Sequence, residues 1–123
     1  MKMDIKQLVH EIKNHPDYEK AGMILCHNGI VRSTSRDGEP VTGLTVQVDH
    51  ARLRSIIEEH KQDPGIIEIL VEIQENQRLS VGDDVMFLVV AGDIRENVIS
   101  TLQGTLDAIK STATQKTEFF KNT

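Results

Sequence analysis

Leu79-Ser80-Val81-Gly82-Asp83-Asp84-Val85-Met86-Phe87-Leu88-Val89-Val90-Ala91-Gly92-Asp93-Ile94-Arg95 carries the clearest structural pattern in the chain. Its first five residues form a tight turn around Gly82. Residues 85–91 are an unbroken apolar run of strand length. A helix then begins near Asp93, with Arg95 in its first turn and Glu96 placed to complete a capping box. Beyond it Val98, Ile99, Leu102, Leu106 and Ile109 recur at three- and four-residue steps, one face of an amphipathic helix. Lys110 closes that helix, and Lys116 follows in a polar tail.

Toward the N-terminus, Ile5, Leu8, Val9 and Ile12 form a short helix stopped by Asn14-His15-Pro16. Residues 21–26 read as a strand continued by Gly29-Ile30-Val31-Arg32, where Gly29 signals a bulge or a close backbone approach. Asp37-Gly38 marks a turn and predicts a hairpin to the strand at residues 41–48, in which Leu44, Val46 and Val48 alternate with Thr45 and Gln47. Asp49 caps a second helix with Leu53, Ile56 and Ile57 inward, ended by Asp63-Pro64-Gly65. Residues 66–73 alternate again, with Ile67, Ile69, Val71 and Ile73 opposite Glu68 and Glu72; Leu70 breaks the pattern. The order is α-β-β-α-β-β-α. It predicts an α+β fold, an antiparallel sheet with helices packed on one face, as a single domain over residues 1–123.

Composition narrows the function classes. A net charge of −5 with no Trp, one Tyr and three Phe argues against nucleic acid as a partner. The apolar runs are too short to span a membrane, and the charged start at Lys2, Asp4 and Lys6 is unlike a secretory signal. The expectation is a cytoplasmic protein with Cys26, the single cysteine, buried as a free thiol. His10, His15, His27, His50 and His60 are scattered without metal-ligand spacing, and no nucleotide-binding glycine motif occurs, so neither a metal nor a cofactor is expected.

Four cations remain as candidates for chemistry. Arg32 ends a strand. Arg95 sits where the helix dipole disfavours a positive charge and favours a bound anion. Lys110 and Lys116 complete the set. Taken singly, each has an ordinary reading as a solvated side chain.

Their order and spacing give them weight. The chain resembles the large, catalytic subunit of molybdopterin synthase. That family carries a Gly-x-Val-Arg segment after its first core strand, matched by Gly29-Ile30-Val31-Arg32. Its Leu-x-x-Gly-Asp/Glu turn is matched by Leu79-Ser80-Val81-Gly82-Asp83. A gap-free count from Gly82 places the family's arginine on Arg95, its helical aspartate on Asp107 and its helix-end lysine on Lys110. With one residue deleted, a second family lysine falls on Lys116. The aromatic and proline residues that precede the second family lysine are missing before Lys116, and three further positions depart from the pattern. Gln74 and Glu75 stand where the family has histidine and arginine before the turn, and Ile94 stands for the histidine preceding Arg95.

The resemblance implies a homodimer within a heterotetramer, each copy binding a small ubiquitin-like sulfur carrier through the carrier's C-terminal Gly-Gly. Sulfur would pass from the carrier's thiocarboxylate to cyclic pyranopterin monophosphate in molybdenum cofactor biosynthesis. It implies substrate-binding roles for Arg32 and Arg95, and catalytic roles for Lys110 first and Lys116 second. The replacements at Gln74 and Glu75 above all support an alternative: a catalytically impaired paralogue acting as a dimeric protein that binds the carrier or an anionic ligand.

Overall fold

The computed structural model describes residues 4–121; Lys2 lies outside them. The elements are α1 (Ile5–Lys13), β1 (Met23–Ile30), β2 (Val41–Val48), α2 (His50–His60), β3 (Ile66–Ile73), β4 (Leu79–Ser80), β5 (Asp84–Gly92), α3 (Arg95–Ala108) and β6 (Thr114–Phe120). A five-residue π-helical turn, Ile109–Ala113, joins α3 to β6.

The strands form two antiparallel three-stranded sheets, ordered β1-β5-β3 and β4-β2-β6. The apolar run at residues 85–91 is the central strand of the larger sheet, and its lack of alternation follows from being covered on both faces. Met86, Leu88 and Val90 face α2 and α3, where Ile56, Ile69, Val98 and Ile109 complete a buried cluster. Phe87, Val89 and Ala91 face the other way, against Leu8 and Ile12 of α1. Helices α2 and α3 thus share one face as expected, while α1 seals the opposite one. This layering also accounts for Leu70, which breaks the alternation of β3 because it packs beneath α1.

A third cluster, Val31, Leu44, Val46 and Leu79, fills the smaller sheet's inner face. Ile73 and Val85 pack against both this cluster and the α2–α3 core, and so tie the two sheets together.

Several expectations are corrected. The turn at Asp37-Gly38 is present, with Gly38 at φ +84° and a bridge between Thr34 and Pro40. Yet β1 and β2 do not pair as a hairpin; they diverge into different sheets. Residues 114–120 are not a polar tail but β6, paired with β2 along its length. Cys26 is exposed rather than buried, because β1 is an edge strand and its outer face extends past α1. Helix α3 starts at Arg95 with Ile94 at the N-cap and no side-chain cap, so Asp93 and Glu96 form no capping box. Ile99 lies outside the buried face of α3, 45 % exposed.

Asp93 instead locks the helix entrance. Its Oδ1 accepts from the Ile94 N–H at 2.7 Å and the Asn97 side chain at 2.9 Å. The Asn97 bond, then that of Ile94, holds its carboxyl below the usual carboxylate range. The stability this contributes is present above the unfolded carboxylate pKa and is lost as pH falls through the depressed value. Gly65, at φ +75°, lies against this carboxylate, and any Cβ there would collide with it. Gly38 has a similar positive φ but nothing within 4 Å of where a Cβ would stand. Gly38→Ala should therefore cost only the left-handed strain, about 1–2 kcal/mol. Gly65→Ala should lower the midpoint of urea unfolding by clearly more; equal shifts would remove the Asp93 contact from the account.

Candidate active site

A groove opens at the seam between the two sheets. Its inner recess of about 310 Å³ is floored by Leu44, Val46, Val85 and Met86 and edged by His27, Arg36, Lys110 and Lys116. It continues outward past Arg32, Thr34 and Glu118 into a wider space of about 600 Å³. Arg32, Lys110 and Lys116, distant in sequence, thus line one continuous groove.

Each cation arrives there for a local reason. Arg32 follows β1 at the start of the β1–β2 loop, and its Nε donates to the Thr34 carbonyl at 2.8 Å, which fixes the guanidinium against its own loop. Arg36 comes from the same loop. Lys116 is directly opposite Val46 in the β2–β6 ladder, and Glu118 opposite Leu44. Directly paired antiparallel residues point to the same face, so both project over the apolar floor. The Lys116 Nζ is 3.9 Å from Glu118 Oε2 with half of the side chain exposed, a weak pair that leaves the ammonium available.

Lys110 depends on the π-helical turn. Ile109 and Ala113 are buried and anchor it, while Lys110 points out into the groove. The carbonyls loosened by the wider turn are bonded by side chains: Ser111 Oγ donates to Asp107 O and Thr112 Oγ1 to Ala108 O, both at 2.7 Å. The Asp49 N–H donates to Ala113 O at 2.8 Å and Arg52 Nε to Thr112 Oγ1 at 3.1 Å, so α2 braces the turn. Such π insertions within helices are often found at functional sites.

Arg95 is not in this groove. It starts α3 and Lys110 follows its end, a separation of about 22 Å at 1.5 Å per residue. The Arg95 side chain is three-quarters exposed and pairs only loosely with Glu96, at 3.7 Å.

The three departures from the family pattern are occupied in local structure. The Gln74 side chain donates to Asp84 O at 2.7 Å. Glu75 pairs with His50 Nε2 at 2.8 Å. Ile94 is 53 % exposed at the α3 N-cap.

His27 and Arg36 were not among the sequence candidates. His27 stands on β1 two residues before Gly29, on the same side of the strand, and its Nε2 lies over that glycine: a Cβ at Gly29 would come within 3.5 Å of it. The strand register shifts just after Gly29, the expected bulge. Burial first, and the Lys110 charge second, push the His27 pKa below its ordinary value. The available signal was period two: His27 and Gly29 alternate with exposed Cys26 and Asn28.

A two-sheet α+β protein with a cationic groove between its sheets is a defined architecture, and comparison with known proteins gives it a family. The sequence profile described as MoaE protein matches residues 1–112, and the chain belongs to that family. No match to a curated protein was found. Among solved structures, the fold is similar to molybdopterin synthase from Staphylococcus aureus, with a TM-score of 0.80 at 18 % identity, covering 98 % of this chain and 88 % of that one. A molybdopterin cofactor biosynthesis protein E from Burkholderia multivorans aligns with a TM-score of 0.77 at 20 % identity, covering 98 % and 84 %. The complex of subunits 1 and 2 of molybdopterin-converting factor from Helicobacter pylori aligns with a TM-score of 0.72 at 18 % identity, covering 98 % and 82 %.

Proposed function

We propose that this protein acts in molybdenum cofactor biosynthesis as a sulfurtransferase, the catalytic subunit of a molybdopterin synthase. The observation that carries the reading, beside family membership, is the gathering of Arg32, Lys110 and Lys116 into one groove with an apolar floor. The proposed substrate, cyclic pyranopterin monophosphate, and the thiocarboxylate of a carrier tail are both anions. Arg32, joined by Arg36, offers planar donors suited to phosphate oxygens. Lys110 and Lys116 stand over the inner recess, where a developing negative charge would be stabilised by ammonium groups partly shielded from water.

The partner is a small ubiquitin-like carrier whose C-terminal Gly-Gly would enter the groove; the two-subunit Helicobacter pylori complex supports this arrangement. Arg95 could hold substrate only in a neighbouring copy's groove, given its distance from Lys110. The exposed Ile94 and Ile99 flanking it favour a contact there, consistent with a homodimer inside a heterotetramer.

A second reading has its own observation. Gln74 and Glu75, standing where the family has a histidine and an arginine, are engaged in bonds away from the groove. A protein that binds the carrier without efficient transfer would look the same. Purified protein, a thiocarboxylated carrier and cyclic pyranopterin monophosphate are expected to yield molybdopterin. Carrier binding without product above background would overturn the enzyme and leave the binding protein.

A further inference from the structure

Among the described residues, His27 is the one histidine that lines the groove. From the π-helical turn it faces Lys110, from β6 Lys116, and from the β1–β2 loop Arg36. The residues contributed by β2 and β5, Leu44, Val46, Val85 and Met86, do not titrate. Among the described residues that line the groove, the carboxylate is Glu118, in the outer part beside Lys116, and helix α3, which packs on β1, carries Asp107 three residues before Lys110. The imidazole is thus held among cations over an apolar floor, with its Nε2 above Gly29.

This surrounding favours the neutral ring while the groove is empty. Burial disfavours the imidazolium and the Lys110 charge repels it. An incoming anion reverses the second effect: it offsets the charge of Lys110 and adds an attraction of its own. A neutral imidazole offers one donor, whereas the imidazolium offers two and a full charge.

We propose that His27 is a further anion-binding residue of this groove, and that it takes up a proton as the anion enters. The inference rests on reading the groove as an anion site, and assigns His27 the proton-carrying role within it. Binding and protonation are coupled, so each strengthens the other. The anion recognised is a tetrahedral oxyanion such as a phosphate monoester, held by Arg32, Arg36 and the two lysines, with His27 closing the inner end.

Inorganic sulfate is a suitable probe, since it carries two charges and does not itself titrate near neutrality. Calorimetric titration of the full chain at constant ionic strength, in two buffers of different ionisation heat, reads the protons taken up. Sulfate affinity should rise between pH 7.5 and 5.5, about tenfold if the bound anion lifts the ring's pKa by about one unit. For that one-unit lift, uptake should peak at about half a proton per sulfate, at the pH midway between the free and bound ring values. His27→Gln should flatten the pH profile and abolish the uptake. In the unaltered protein, the His27 ring resonance should titrate at higher pH with sulfate than without, a readout that needs no variant.

Sulfate binding without proton uptake, an uptake that survives in His27→Gln, or an unmoved ring titration would overturn the proposal. So would a failure to bind sulfate at all. The synthase reading is tested separately by product formation: a working synthase with no coupled uptake loses only the His27 role. Coupled sulfate binding without molybdopterin loses only the reaction.

Discussion

Replacing Lys110 by alanine is expected to lower kcat for sulfur transfer about 100- to 1,000-fold, the range seen when one preorganised group stabilising a developing charge is removed. The size of the effect follows from position. Lys110 lines both the inner recess and the outer groove, and its charge is felt at His27 across the recess. Lys116, half exposed and beside Glu118, is partly offset and should matter less. The Lys110 side chain lies outside the packed core, so its removal should leave the melting temperature nearly unchanged. The checking measurement is single-turnover transfer with saturating carrier, alongside a thermal melt. A Lys110→Ala protein with full activity would remove the catalytic role while leaving the family and fold untouched.

The largest stability effect is expected at Leu88→Ala. Leu88 is fully buried at the centre of β5, with β1 and β3 on either side and α2 and α3 above. His27 of β1 and Val71 of β3 are its register partners. A central strand braced on both sides has little room to collapse into the void, so the loss should be about 2–5 kcal/mol. For a chain of this size that corresponds to a fall in Tm of roughly 10 °C or more. Chemical denaturation with an unchanged m-value would confirm a loss of packing rather than a change of unfolded state. A loss below about 1 kcal/mol would mean that the core relaxes around the site.

The elements legible in the sequence are those whose pattern is set by burial alone. Residues 85–91 announced a strand, though not its cover on both faces, and Asp49 announced the α2 cap, which the structure places 3.0 Å from the Arg52 N–H. β6 was illegible because its groove-facing positions carry Thr114, Lys116 and Glu118, polar groups that the apolar floor of β2 accommodates. Cys26 was misjudged because apolar neighbours do not reveal where a covering helix ends. The same limit applies to the site. Family spacing pointed to Arg32, Lys110 and Lys116, which the fold gathers, and equally to Arg95, which it sets a helix length away. Linear spacing along α3 carries no information about which end faces the groove. His27 was hidden by its own strand, since one histidine at an alternating position looks like any half-exposed residue.

The π-helical turn between α3 and β6 makes the groove sensitive to chain arithmetic. Each residue of a helix advances its successors by about 100°, and each residue of a strand reverses the side they face. Deleting one residue between Ile109 and Ala113 would let the turn relax to ordinary helical winding. Lys110, held by Ile109 at the end of α3, would keep its place, whereas Lys116 would move to the opposite face of its strand. Elsewhere on the surface a one-residue indel is a minor edit; here it would rewire the contents of the groove while leaving both sheets intact.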